Sequence, residues 1–149
     1  SAMNGIERLA HRITKRFGDG SPFFLCDCMG IQVRRLDLPK RVRGFCFRTE
    51  SGKPIIVLQE TLSEMEDCYC CAHELGHLLL HPGLNAQVIA DLTYLYAPRY
   101  EREADFFAAC LLIDPNFDEW SLTYNPLTQE QIAELSGLPR RVVDLRFER

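Results

Sequence analysis

The chain has 149 residues, 46% of them apolar, and a formal net charge of −4. A chain of that length buries one sizeable core, which argues for a single domain. Its acidic balance speaks against a surface built to coat nucleic acid, and no stretch has the apolar length of a membrane span. Ser1-Ala2-Met3 carries neither the basic nor the apolar region of a secretory signal and reads as a cloning remnant (1–3). The expectation is one cytoplasmic α+β domain over 4–149.

Apolar Ile6, Leu9, Ala10, Ile13 and Phe17 recur at helical spacing and predict a helix over 5–17, ended by Gly18-Asp19-Gly20-Ser21-Pro22. Three strand-like pieces follow at 31–36, 44–49 and 54–59, with Glu50-Ser51-Gly52-Lys53 as a hairpin turn between the last two. They predict a small three-stranded antiparallel sheet. The run Ile55-Ile56-Val57-Leu58 reads as buried on both faces, with the sheet packed on the next helix, expected over 62–80.

That helix carries the most informative residues, His73-Glu74-Leu75-Gly76-His77. At 3.6 residues per turn, His73 and His77 lie one above the other, close enough to bind one metal ion, while Glu74 stands beside it. Neutral imidazoles bind zinc, and a neighbouring carboxylate can take the proton of a water attacking a carbonyl. Chance gives such a match in a chain of this length with a probability on the order of one per cent. Two unpartnered histidines on a buried helix would be costly, so the competing reading is a pair of hydrogen-bonded core residues. Gly76 costs about 1 kcal/mol relative to Ala inside a helix, which calls for a close approach by a strand, a substrate or another helix. A substrate lying extended along an edge of the preceding sheet would meet this need.

A third ligand is expected from the segment opening Tyr100-Glu101-Arg102-Glu103-Ala104-Asp105. Glu101 and Glu103 are about 200° apart on a helix and cannot face the same ion. Asp105 shares the face of Glu101, so Glu101 is the expected ligand and Asp105 the acceptor for the second ring N–H of a ligating histidine. Glu103 is then a solvated acid near a helix N-terminus, a preference that explains all three acids if no metal is present. His81, one turn beyond His77, is either a donor or substrate contact or a cap on free carbonyls. The segment 83–99 is too apolar for a plain solvated loop and is expected to line or cover the cleft. Tyr94, Tyr96 and Tyr100 are candidate hydrogen-bond donors to the oxyanion of the attacked carbonyl, with aromatic packing as the competing reading for each.

Seven cysteines, Cys26, Cys28, Cys46, Cys68, Cys70, Cys71 and Cys110, are an odd number and suit reduced thiols better than a disulfide framework. No structural zinc site is read from them, and buried packing is expected of Cys46, Cys70, Cys71 and Cys110. At the C-terminal end, 127–147 reads as helix, turn, helix. Thr128 and Gln131 form a capping box, and Gly137 with Pro139 marks the break. Arg140 and Arg141 would open the second helix, as in the recognition helix of a DNA-binding helix-turn-helix. A third helix and a basic surface are wanting, so packing on the core is favoured over DNA binding.

The pair HELGHLLLH (73–81) and EREADFFAACLLIDP (101–115) resembles the ImmA/IrrE family of zinc metallopeptidases, gluzincin-like enzymes of bacteria, phages and mobile elements. Asp105 stands where the family usually has Asn, and Ile113-Asp114-Pro115 replaces a Leu-Met-Pro ending. The resemblance implies a zincin-like fold, His73, His77 and Glu101 as ligands of one Zn2+, and Glu74 as the acid/base of peptide-bond hydrolysis. It also implies a protein substrate, such as a helix-turn-helix repressor or antitoxin-like regulator encoded nearby. Two other readings are a binding module that keeps the fold without cleaving, and a structural zinc protein whose fourth position is filled by a side chain. An intact Glu74 favours catalysis, because holding a metal does not require it.

Overall fold

A computed structural model describes residues 2–18, 20–83 and 98–148. Helix α1 (Ala2–Phe17) begins three residues before the predicted start and buries Ile6, Ala10 and Ile13 along one stripe. Helix α2 (Pro22–Cys28) was not anticipated, since two turns are too short for periodicity to register. Its start signal is nevertheless local: the Ser21 hydroxyl accepts from the Phe24 N–H at 3.3 Å, and proline occupies the first helical position.

The sheet comprises β1 (Gln32–Leu36), β2 (Gly44–Arg48) and β3 (Pro54–Gln59), in the order β1-β3-β2. β2 and β3 form the expected antiparallel hairpin, with Cys46 opposite Ile56. β1, however, pairs with β3 in parallel, Val33 opposite Ile56, so the sheet is mixed and the expectation of an all-antiparallel sheet is corrected. The reason lies in burial. The most buried strand, β3, takes the centre, where both of its edges are hydrogen-bonded; β1 and β2 run opposite ways, so a strand antiparallel to β2 is parallel to β1. The chain between β1 and β2 therefore crosses the end of β3. The buried Gln59 side chain holds it there, donating to Leu38 O at 2.7 Å and accepting from Leu38 N at 3.1 Å.

Helix α3 (Glu64–Leu80) starts at a capping box: Ser63 Oγ accepts from Glu66 N, and Glu66 Oε1 accepts from Ser63 N, both at 3.3 Å. It packs one face on β2 and β3 and another on α4 (Pro98–Ile113). At that crossing a Cβ on Gly76 would stand 3.3 Å from both Cα and O of Ala104 and 3.1 Å from the Phe107 ring. Of the approaches that could explain this glycine, helix packing is the one the fold makes. α4 is apolar over most of its circumference because α1, α3 and the C-terminal helices all cover it.

A 3₁₀ turn (Asp114–Asn116) leads to α5 (Phe117–Thr123), then α6 (Gln129–Ser136) and α7 (Arg140–Arg146). The predicted Thr128–Gln131 capping box opens α6, and Gly137 closes it at φ +76°, a left-handed conformation that favours glycine. Ile132, Leu138, Val142 and Val143 are buried, so this pair of helices closes the core. No helix among the described residues is long and apolar enough to cross a membrane.

Candidate metal centre

Consecutive turns of α3 stack the His73 and His77 rings with centroids 4.7 Å apart. Glu101, in the first turn of α4, faces both. One carboxylate oxygen lies 2.7 Å from His77 Nε2 and the other 3.3 Å from His73 Nε2. The three side chains offer donor atoms all within 4.8 Å of one another, and among the described residues no fourth His, Cys, Asp or Glu joins them. His77 is 4% exposed, whereas the Glu101 side chain is 48% exposed, so the cluster has a buried wall and an accessible side. Two imidazoles and a carboxylate converging on one point, with no fourth such side chain among the described residues, fit a divalent ion of catalytic type.

Electrostatics agree with that fit. Burial opposes a charge on His73, yet Asp105, Glu101 and Glu74 outweigh it and push the imidazole up to about 10. Burial likewise opposes a charge on Glu101, but His73 and His77 hold its carboxyl well below the usual range. The negative potential that retains a proton in this cluster is the potential that would attract a cation.

The other nitrogen of each histidine is held separately. His73 Nδ1 meets Asp105 Oδ1 at 2.8 Å. Asp105 is itself buried and accepts from Tyr69 Oη at 2.6 Å and from the Arg141 guanidinium at 2.7 Å. His77 Nδ1 instead meets His81 Nδ1 at 2.9 Å, and His81 Nε2 meets Glu103 Oε1 at 2.8 Å. Glu103 is thus not the solvated acid expected from its helix position. Among the described residues the His81 side chain caps no carbonyl, although its backbone N–H does bond His77 O. Burial lowers the His81 pKa despite Glu103. The missed partner was signalled only by the repeat of a histidine four residues after His77 and an acid two after Glu101.

Glu74 is buried on the next position of α3, with the Cys46 thiol of β2 within hydrogen-bond reach. Burial and that carboxylate push the Cys46 thiol up. The Tyr100 ring lies 4.6 Å from that of His81, tilted by 58°, and its hydroxyl accepts from Arg99 at 3.0 Å. Tyr94, Tyr96 and most of the segment expected to cover the cleft lie outside the described residues. Arg141, considered at first as opening a recognition helix, reaches inward to Asp105 and Tyr69, while Arg140 pairs with Asp144 at 2.8 Å.

A second group, Glu7, His11 and Asp114, is bound up in ion pairs: the Arg146 guanidinium makes two bonds of 2.9 Å to Asp114, whose Oδ2 also meets His11 at 2.7 Å. A cation already fills it, so no metal is expected there. A cleft of about 640 Å³ opens onto this group, lined by His11, Lys15, Asp114, Phe117, Arg146 and Phe147, and shares no residue with the His73 cluster. Asp114, the departure from the family ending, thereby ties α1 and α7 to the end of α4.

A family model described as the IrrE N-terminal-like domain, a peptidase family, matches residues 26–148. A relative from Bacillus phage phi105, named "Uncharacterized immunity region protein 2", is 28% identical over 95% of this chain and 88% of its own length. "Metallopeptidase ImmA" of Bacillus subtilis (strain 168) is 25% identical over 96% of this chain and 84% of its own.

Proposed function

We propose that this chain, which belongs to the ImmA/IrrE peptidase family of the IrrE N-terminal-like domain, is a zinc-dependent endopeptidase acting on a regulatory protein. The observation that carries the reading is the convergence of His73 Nε2, His77 Nε2 and both oxygens of Glu101 beside a buried Glu74. His73, His77 and Glu101 would hold the ion. Bound zinc would supply Lewis acidity toward the scissile carbonyl and the attacking water. Glu74 accepts the water's proton and delivers it to the leaving amine. Asp105, which meets His73 Nδ1 at 2.8 Å, would keep that imidazole turned with Nε2 toward the ion.

Substrate binding follows from the sheet. β2 is an edge strand, and Thr49 N to Lys53 O together with Gln59 N to Arg43 O mark the rungs at odd-numbered positions of β2. In an antiparallel ladder the alternate residues, Gly44, Cys46 and Arg48, then direct their backbone groups outward. Cys46 is the β2 residue beside Glu74. An extended peptide added to this edge would bring its backbone past the cluster, gaining affinity with little side-chain selectivity.

The immunity-region name of the phage relative supports a repressor of a phage or mobile element, such as a helix-turn-helix protein, as the substrate class. Seven unpaired thiols suit a reducing, cytoplasmic setting. A module that binds the same partner without cutting it needs no Glu74. Glu74→Gln is therefore the test: cleavage of a co-expressed neighbouring regulator should cease while the zinc content stays at one per chain. A variant that still cuts would reject Glu74 as the base, and a parent protein that never cuts would favour the non-cleaving reading.

A further inference from the structure

We infer that His81 and Glu103 are a positioning pair which holds a proton on His77 Nδ1, so that Nε2, which bonds Glu101 Oε1 at 2.7 Å in this structure, is the nitrogen left to exchange that bond for a metal ion; this rests on the metal-site reading above. If His77 is to offer Nε2 to an ion, its proton must sit on Nδ1, and that proton needs an acceptor. The acceptor 2.9 Å away is another imidazole nitrogen, His81 Nδ1. It can accept only when the His81 proton resides on Nε2, and there Glu103 Oε1 stands at 2.8 Å to receive it. The bonds thus run in one direction: His77 Nδ1–H donates to His81 Nδ1, and His81 Nε2–H donates to Glu103.

Reversing either imidazole places two N–H groups, or two lone pairs, face to face. The His81 side chain is only 5% exposed, so water cannot easily rescue the mismatch. Both nitrogens of His81 are engaged, leaving none for a substrate. α4 thereby serves both ligating histidines with acids on different faces, Asp105 directly on His73 and Glu103 on His77 through an inserted ring. Glu103 acts on His77 only through His81, which is the property that distinguishes positioning from a general negative field.

The test is a double-mutant cycle on zinc affinity in the full chain, measured by chelator competition, with Glu103→Ala, His81→Phe and the pair combined. Loss of an outer hydrogen-bond partner costs roughly 10–100-fold in metal affinity, and that is the loss expected of each single variant. The double variant should bind zinc as His81→Phe does. Thermal unfolding in chelator checks that each variant is folded. Should His81→Phe fail to fold, the cycle is read on His81→Gln, whose amide oxygen can still accept from His77; there Glu103→Ala should change nothing. Ring nitrogen-15 shifts of the zinc-loaded parent should report His77 protonated at Nδ1 and His81 at Nε2.

Zinc affinity within about threefold of the parent in His81→Phe, an undiminished effect of Glu103→Ala in that background, or the opposite tautomers would overturn the inference. His77→Ala separates the two levels of argument. If it loses zinc while the His81 and Glu103 variants do not, the pair is refuted and the metal site stands. If the parent protein itself takes no zinc, both fall.

Discussion

Gly76→Ala probes the contact on which the site's geometry depends. In an isolated helix the change would stabilise by about 1 kcal/mol, because Ala loses less backbone freedom. Here the new Cβ would lie 3.3 Å from the backbone of Ala104 and 3.1 Å from the ring of Phe107, which is 0% exposed and has nowhere to turn. α4 must retreat by a few tenths of an ångström. Overpacking of this kind costs about 1–3 kcal/mol, so the net effect is a destabilisation of about 1 kcal/mol, or a Tm lower by roughly 2–4 °C at this chain length. Because Glu101 and Asp105 ride on α4 while His73 and His77 ride on α3, the same retreat should loosen the cluster and, on the proposed function, weaken its hold on a metal ion. Urea unfolding in chelator reads the first effect and chelator competition the second. A variant about 1 kcal/mol more stable than the parent, with unchanged zinc affinity, would refute the claim that this crossing is tight.

Other consequences can be measured on the same protein. Arg141→Met removes two hydrogen bonds from the Asp105–Tyr69 pair but keeps the side-chain bulk. Since the Arg141 side chain is 67% exposed and well screened, denaturant unfolding should register a loss of about 1 kcal/mol rather than the larger cost of breaking a buried pair. No loss at all would mean that α7 does not brace Asp105. Burial pushes the Cys70 and Cys110 thiols up to about 12, leaving roughly one thiolate in ten thousand at pH 8, whereas Cys28 is exposed. Mass spectrometry after alkylation at that pH should find Cys28 labelled in the native protein, and Cys70 and Cys110 only after unfolding. Early labelling of either buried thiol would contradict the packing of α3 or α4.

Local order along the chain made much of this legible. A period of 3.6 residues puts His73 and His77 on one face whatever surrounds them, and the four-residue step from Glu101 to Asp105 does the same on α4. The Thr128–Gln131 box and Gly137 are likewise satisfied within a few residues, so the bounds of α6 follow from the sequence alone. The capping box at Ser63 was equally local, and overlooking it put the start of α3 two residues early.

Other features belong to contacts between segments distant in the chain. Strand periodicity fixes which faces are apolar but not which strand is central; pairing both edges of the most buried strand put β3 between two opposed neighbours, which makes its pairing with β1 parallel. Helical spacing separates Glu103 from Glu101 yet is silent on what Glu103 meets. The end of α3 brings His81 to it, 22 positions away. Arg141 reads as a surface cation until α7 folds over α4 and carries it to Asp105, 36 positions away. The sequence by itself determined the donor types and their local spacing, because those depend on backbone geometry within a turn or two. Only tertiary packing decided which lone pairs and protons face one another, because that depends on how closely α3 and α4 approach at Gly76.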